Sequence, residues 1–218
     1  MGWFWKFFNS SIGKKITMAV TGVLLILFII FHLIGNLTLF WGEKAFMGYA
    51  STLETFKPIV RVIEVILASI FILHIINGIR LWWANKVAKS KDYAVNAKSK
   101  NSDIFSRTMI WSGSIVFIFL VIHLQTLWYP NNFGGSAEEL YSIVTGLFAN
   151  AVYSWFYIIA MVLLGFHLNH GFQSAFQTFG WNHKKYFSFI KLIGTIYSII
   201  MAIGFASLPI YFLYFHGR

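Results

Sequence analysis

The sequence has no cysteine. That absence excludes disulfides, thiolate-held iron–sulfur clusters and the C-x-x-C-H attachment of c-type haem. Any cofactor must be held by histidine or without a covalent bond. Proline is scarce, with three residues in 218. Charge is scarce too. Only 11% of residues carry it, 58% are hydrophobic and 20% are aromatic, whereas a soluble domain is about 25% charged. Acidic residues are fewest, seven against seventeen Lys and Arg, for a net charge of +10. A nucleic-acid binder gathers its basic residues on one polar face. Here they lie between apolar runs, where the positive-inside rule governs them, so no nucleic-acid partner is expected.

What the chain has is apolar length. Five runs, at about 15–41, 58–84, 107–128, 150–177 and 187–214, each reach the ~20 residues a helix needs to cross the hydrocarbon. Backbone groups in lipid must be satisfied within the segment, so the runs are expected to be helices. The expected fold is all-α: one transmembrane domain over residues 1–218 with five spanning helices. Pro58 suits the first turn of the second helix, Pro130 is expected to stop the third, and Pro209 to bend the fifth near its end. The first run is too long for a signal peptide and lacks an A-x-A-like cleavage site. Before it, "MGWFWKFF" reads as an interfacial anchor of aromatics and a lysine.

Loop charge sets the orientation. The N-terminus carries Lys6, Lys14 and Lys15; the second connection carries Lys86, Lys89, Lys91, Lys98, Lys100 and Arg107; the fourth carries Lys184, Lys185 and Lys191. The loop 129–149 instead holds Glu138 and Glu139 and no basic residue. The N-terminus is therefore expected on the cytoplasmic side and the C-terminus outside.

Four spans each contain a histidine: His32, His74, His123 and His167, the last with His170 beside it. Polar residues at membrane depth usually face the bundle interior. His32 and His123 sit about 16 residues up from the inside, roughly 24 Å in. His74 and His167 sit about 16 residues down from the outside, again roughly 24 Å. The first two thus share an outer level and the second two an inner level. Two histidines at one depth on facing helices can supply both axial ligands of a b-type haem. Two such pairs make two haems, roughly 10–15 Å apart along the bundle.

A weak internal repeat supports the pairing. "TGVLLILFIIFHL" (21–33) aligns with "SGSIVFIFLVIHL" (112–124), and "HIING" (74–78) with "HLNHG" (167–171). Helices one–two and three–four read as two copies of one hairpin. Gly78 and Gly171, four residues after their histidines, leave room on the same helix face for a flat macrocycle. Gly22 and Gly113 lie near the inner level and can admit its edge. The alternative for all four glycines is close helix packing. His170 stands where the first copy has Asn77, so ligation is assigned to His167. His170 either bonds a propionate or a polar neighbour, or is a plain interior histidine. His183 is expected in the inside loop, facing solvent or a partner, and His216 lies at the outer end.

Arg61 and Glu64 are three apart in the outer third of helix two and able to pair; Glu54 sits just outside it. Either carboxylate could pass protons for a quinone, or Arg61 and Glu64 form a structural ion pair. Arg80, Lys86, Lys15 and Arg107 are candidates to neutralise inner propionates, or are ordinary positive-inside charges.

The order His32, His74, His123, His167 on four successive spans resembles the single-chain dihaem cytochrome b anchor of succinate dehydrogenases and fumarate reductases. "SIGKK", "KPIVRVIE" and "HGFQSAFQTFGWNHKKY" are most similar to the succinate dehydrogenase branch. The resemblance implies two haem b groups, with the first and third histidine spans sharing the outer one and the second and fourth the inner one. It implies a cytoplasmic flavoprotein with the dicarboxylate site, an iron–sulfur subunit docked on the anchor, and menaquinone handled near the outer haem. It also implies a bacterial cytoplasmic membrane. The family's acidic quinone-site residue does not carry over cleanly, which leaves Glu54 and Glu64 both open, and helix four here has no carboxylate, which leaves a proton route through one there unsupported. Two other functions compete: the dihaem cytochrome b of a hydrogenase or formate dehydrogenase, and a haem-free transporter with histidines in a proton path.

Overall fold

A computed structural model describes residues 2–88, 108–134 and 139–216. Lys89, Lys91, Lys98, Lys100, Arg107 and Glu138, used above for orientation and propionate contacts, lie outside the described residues. Those described are helical, with no strand among them. The elements are α1 (Trp3–Asn9), α2 (Ser11–Leu37, continued by a 3₁₀ turn Thr38–Trp41), α3 (Glu43–Thr55), α4 (Lys57–Ala88), α5 (Met109–His123), α6 (Leu140–Ala149), α7 (Ala151–Thr178) and α8 (Lys184–Tyr214). Five helices, α2, α4, α5, α7 and α8, are long and apolar enough to cross a membrane.

Local chemistry sets the breaks. The Ser10 hydroxyl accepts from Gly13 N at 3.0 Å and starts α2. Gly13 is required there, because a Cβ would run into the Phe7 carbonyl of α1. Asn150 Oδ1 caps α7 by accepting from Tyr153 N at 3.1 Å. Gly180, at φ +81°, ends α7, with Trp181 N bonded back to Phe176 O. His183 Nδ1 accepts from Lys185 N at 3.3 Å, so this histidine caps α8. Pro58 sits in the first turn of α4 as expected, and Pro209 is buried inside α8.

Pro130 does not stop the third span. After His123 the helix widens into π turns over Leu124–Trp128 and Pro130–Gly134, and the span runs on to Phe133. The wide turns relieve the clash a pyrrolidine ring makes in a tight α-helix.

The helices α2, α5 and α8 run one way, and α4 and α7 return. The spine is α2, α7 and α8; α4 packs mainly on α2, and α5 mainly on α7. Small residues bring the spine together. A Cβ on Gly165 would lie 3.0 Å from Ala202 Cβ, and one on Gly204 2.7 Å from Leu33 Cδ2. Polar groups add to it. Tyr197 OH donates to Ile26 O at 3.1 Å, and Thr195 Oγ1 to Asn169 Oδ1 at 3.2 Å.

The buried cluster, including Leu33, Phe148, Tyr157, Met161, Phe205 and Phe212, fills the half of the bundle away from the N-terminus. There α3 and α6 add Phe46 and Val144 from outside the spans. Burial, then the Glu43 carboxylate and Tyr211, hold the Tyr141 phenol on α6 above its usual pKa. Large apolar side chains such as Phe31, Val65 and Ile203 remain outward-facing, as lipid contact requires.

Candidate functional site

The four histidines meet in two pairs. His32 on α2 and His123 on α5 have ring centroids 5.8 Å apart. His74 on α4 and His167 on α7 are 6.2 Å apart. Each pair spans a diagonal of the four-helix arrangement. The levels are fixed by contacts along two helices. Gly22, ten residues before His32, faces His74, and Gly113, ten residues before His123, faces His167. Ten residues of helix rise about 15 Å, which separates the two levels.

Each ring has a defined setting. His74 Nδ1 lies 3.1 Å from Thr21 Oγ1. His123 Nδ1 lies 2.9 Å from Tyr157 OH. The His32 ring lies beside Phe28 at 5.2 Å, nearly parallel, and Phe205 at 5.8 Å. His167 Nδ1 is buried without a hydrogen-bond partner among the described residues. Gly22 and Gly113 leave the space these rings occupy. A Cβ would stand 3.5 Å from His74 Cε1 in one case and 3.3 Å from His167 Cε1 in the other.

The donor chemistry fits haem. No group of three or more metal-ligating side chains stands together among the described residues, so a bare ion would find only the two imidazoles of a pair. A porphyrin brings four nitrogens and needs only the two axial imidazoles that each level offers. Two imidazoles on opposite sides of one metal, at about 2 Å per bond, hold their ring centroids about 6 Å apart. Both pairs have that spacing.

The remaining candidates spread out. Gly78 faces Met18 Cε at 3.5 Å, and the space a Cβ would take at Gly171 is open. His170 is partly buried, one turn from His167. Arg80 donates to Asn9 Oδ1 at 2.6 Å and lines a groove of about 370 Å³ with Lys14, Ile79, Trp83 and Ala84. Lys86 lies over Trp82, 5.0 Å from its ring centroid. Glu54 is exposed and ion-paired with Lys57. Glu64 accepts from Arg61 at 2.8 Å and from Trp128 Nε1 at 3.0 Å, and these three with Val65 and Ala68 line a groove of about 310 Å³. Sequence reasoning misses Trp128 and Tyr157. Trp128 is 64 positions from its partner, and nothing in the pattern separates Tyr157 from the other aromatics of its span.

Residues 15–101 match a family described as the succinate dehydrogenase/fumarate reductase transmembrane subunit. No match is found among curated proteins or solved structures. The matched stretch is less than half of the chain and covers most of the first hairpin, with His32 and His74. Together with the five apolar helices it describes a multi-pass membrane protein, similar over that stretch to the anchors of those oxidoreductases.

Proposed function

We propose that the chain is the membrane anchor of a succinate dehydrogenase or fumarate reductase. It passes electrons between a cytoplasmic iron–sulfur subunit, itself bound to a flavoprotein, and a membrane quinone, with menaquinone the type the resemblance implies. The observation that carries this reading is the pairing of four histidines at two levels with ring spacings of 5.8 and 6.2 Å. When bound, two b-type haems supply one-electron carriers at two depths. His32 and His123 hold the outer one; His74 and His167 hold the inner one. Gly22 and Gly113 keep the helices clear of the inner rings. Phe28 and Phe205 bracket His32 and keep water from the outer level.

The quinone is handled at the outer end, because a second carrier is useful only if the quinone lies beyond the first. Quinone chemistry moves two protons with two electrons, so a titratable group is needed there. Glu64 is the stronger candidate. It lies in a lipid-facing groove walled by Trp128, five residues beyond His123. Arg61 and Trp128 hold its carboxylate in place. Glu54 remains a second candidate at the mouth of α4.

The test is purification of the intact complex, with haem counted, a dithionite-reduced spectrum recorded and the co-purifying subunits identified. Two b haems with a flavoprotein and an iron–sulfur protein are expected. A hydrogenase or formate dehydrogenase partner, or a chain with no b-type absorption, would refute the proposal.

A further inference from the structure

Two hydroxyl–glycine pairs, Thr21-Gly22 on α2 and Ser112-Gly113 on α5, lie at the level of the inner histidines: Thr21 and Gly22 meet His74, and Gly113 meets His167. They occupy the same position in the two hairpin copies. Both hydroxyl residues are buried, at 5% and 2% exposure. Both have a main-chain carbonyl in reach of their proton. Thr21 Oγ1 donates to Met18 O at 3.1 Å, and also to Thr17 O at 2.8 Å. Ser112 Oγ donates to Met109 O at 3.1 Å. A hydroxyl has one proton and two lone pairs. With main-chain carbonyls in reach of its proton, Thr21 is placed to accept from His74 Nδ1, 3.1 Å away. A proton on His74 Nδ1 would make that bond and leave the Nε2 lone pair for a metal.

The second copy has the same parts, with one bond unmade. His167 Nδ1 is buried and unpartnered. It stands 3.5 Å from the position a Cβ would take on Gly113, and Ser112 directly precedes that glycine. A buried ring nitrogen without a partner is costly, and of the two serines that flank Gly113, Ser112 is buried and Ser114 exposed.

We propose that Ser112 is the counterpart of Thr21, its hydroxyl oxygen accepting the Nδ1–H of His167. Both inner histidines are then held in one tautomer with Nε2 turned to the shared axis. The glycine after each hydroxyl lets the imidazole edge lie against the helix. This rests on the haem reading above and extends it: Thr21 and Ser112 become the positioning residues of the inner haem. An acceptor on the second ring nitrogen raises the basicity of an axial imidazole, which favours ferric over ferrous iron and lowers the potential. The outer level is built differently, with Tyr157 at His123 and aromatic rings at His32. The two hydroxyls thus act on one haem only.

The experiment uses the intact complex, with Thr21→Val, Ser112→Ala and Thr21→Ser variants, and follows both haems by optical redox titration. The same midpoint is expected to rise in Thr21→Val and in Ser112→Ala while the other stays in place. A change of about three- to ten-fold in the redox equilibrium reads as about 30–60 mV for one electron. Thr21→Ser keeps the acceptor and is expected to restore the native value. If a variant loses haem instead, loss of the same haem from both supports the assignment. Movement or loss of different haems in the two variants overturns it, as does no shift in either, and both leave the haem reading intact. A native complex without a b-type spectrum overturns the haem reading itself, and this inference with it.

Discussion

Removing histidines two at a time turns the two-level geometry into a count. Within a pair the ring centroids are 5.8 or 6.2 Å apart. Between levels, the ten residues from Gly22 to His32 amount to about 15 Å of helix rise. An iron bound by two imidazoles needs its ligand rings about 6 Å apart at about 2 Å per bond, so no histidine can stand in for one at the other level. Each single variant, His32→Ala, His74→Ala, His123→Ala or His167→Ala, is expected to leave one haem per anchor. His32→Ala/His123→Ala should also leave one, since both changes strike the same site. His32→Ala/His74→Ala should leave none. The assay is the pyridine haemochrome of the purified complex, normalised to the anchor chain. One haem surviving in the cross-level double variant, or none in the same-level one, would show that the ligand sets are not these.

His170→Ala is expected to retain two haems, since the proposal gives the ligand role to His167; recovery of a single haem with His167 intact would transfer the role. Glu64→Gln should lower quinone-linked turnover by about 100-fold, the range for loss of a proton-transfer group, with both haems kept and activity toward an artificial acceptor unchanged. Glu54→Gln, at an exposed pair with Lys57, should change that turnover less than about twofold, as for loss of a surface ion pair; full quinone activity in both variants and in the double variant would leave these carboxylates structural. Gly13→Ala places a methyl group against the Phe7 carbonyl, an overpacking that costs about 1–3 kcal/mol, and should release α1 from α2. Faster proteolysis near Asn9 with unchanged haem content is the readout, and native protection would refute it.

The parts legible in the sequence are those set by length and rise. Span boundaries follow from apolar run length, and each lies within a few residues of the helix found, except where the third passes Pro130. The histidine levels follow from a constant rise per residue, so counting from the helix ends is enough to bring His32 to His123 and His74 to His167. What depends on helix rotation is less legible. Thr21 and Ser112 stand out as part of a repeat, but their acceptor role depends on which way each helix is turned. Arg80 is a candidate for an inner propionate by sequence, but that its guanidinium reaches Asn9 and the Lys14 groove depends on how α4 is turned. The short helices α3 and α6 lie outside the spans and have too little apolar length to stand apart from the loops around them. A ring nitrogen capping a helix has no sequence pattern of its own, so His183 reads only as a residue facing solvent or a partner.

The two diagonals join helices that otherwise barely touch. Among the described residues α4 packs mainly on α2 and α5 mainly on α7. Asn77 is the sole buried residue on α4 among those described there. Yet α4 brings His74 to α7, and α5 brings His123 to α2. Anything that binds both members of a pair clamps a loosely held outer helix to the spine, and its binding free energy adds to that of folding. On the proposed two-haem reading, cofactor supply would then act as an assembly checkpoint. A chain starved of haem would then keep its spine without the clamp on its second and third spans.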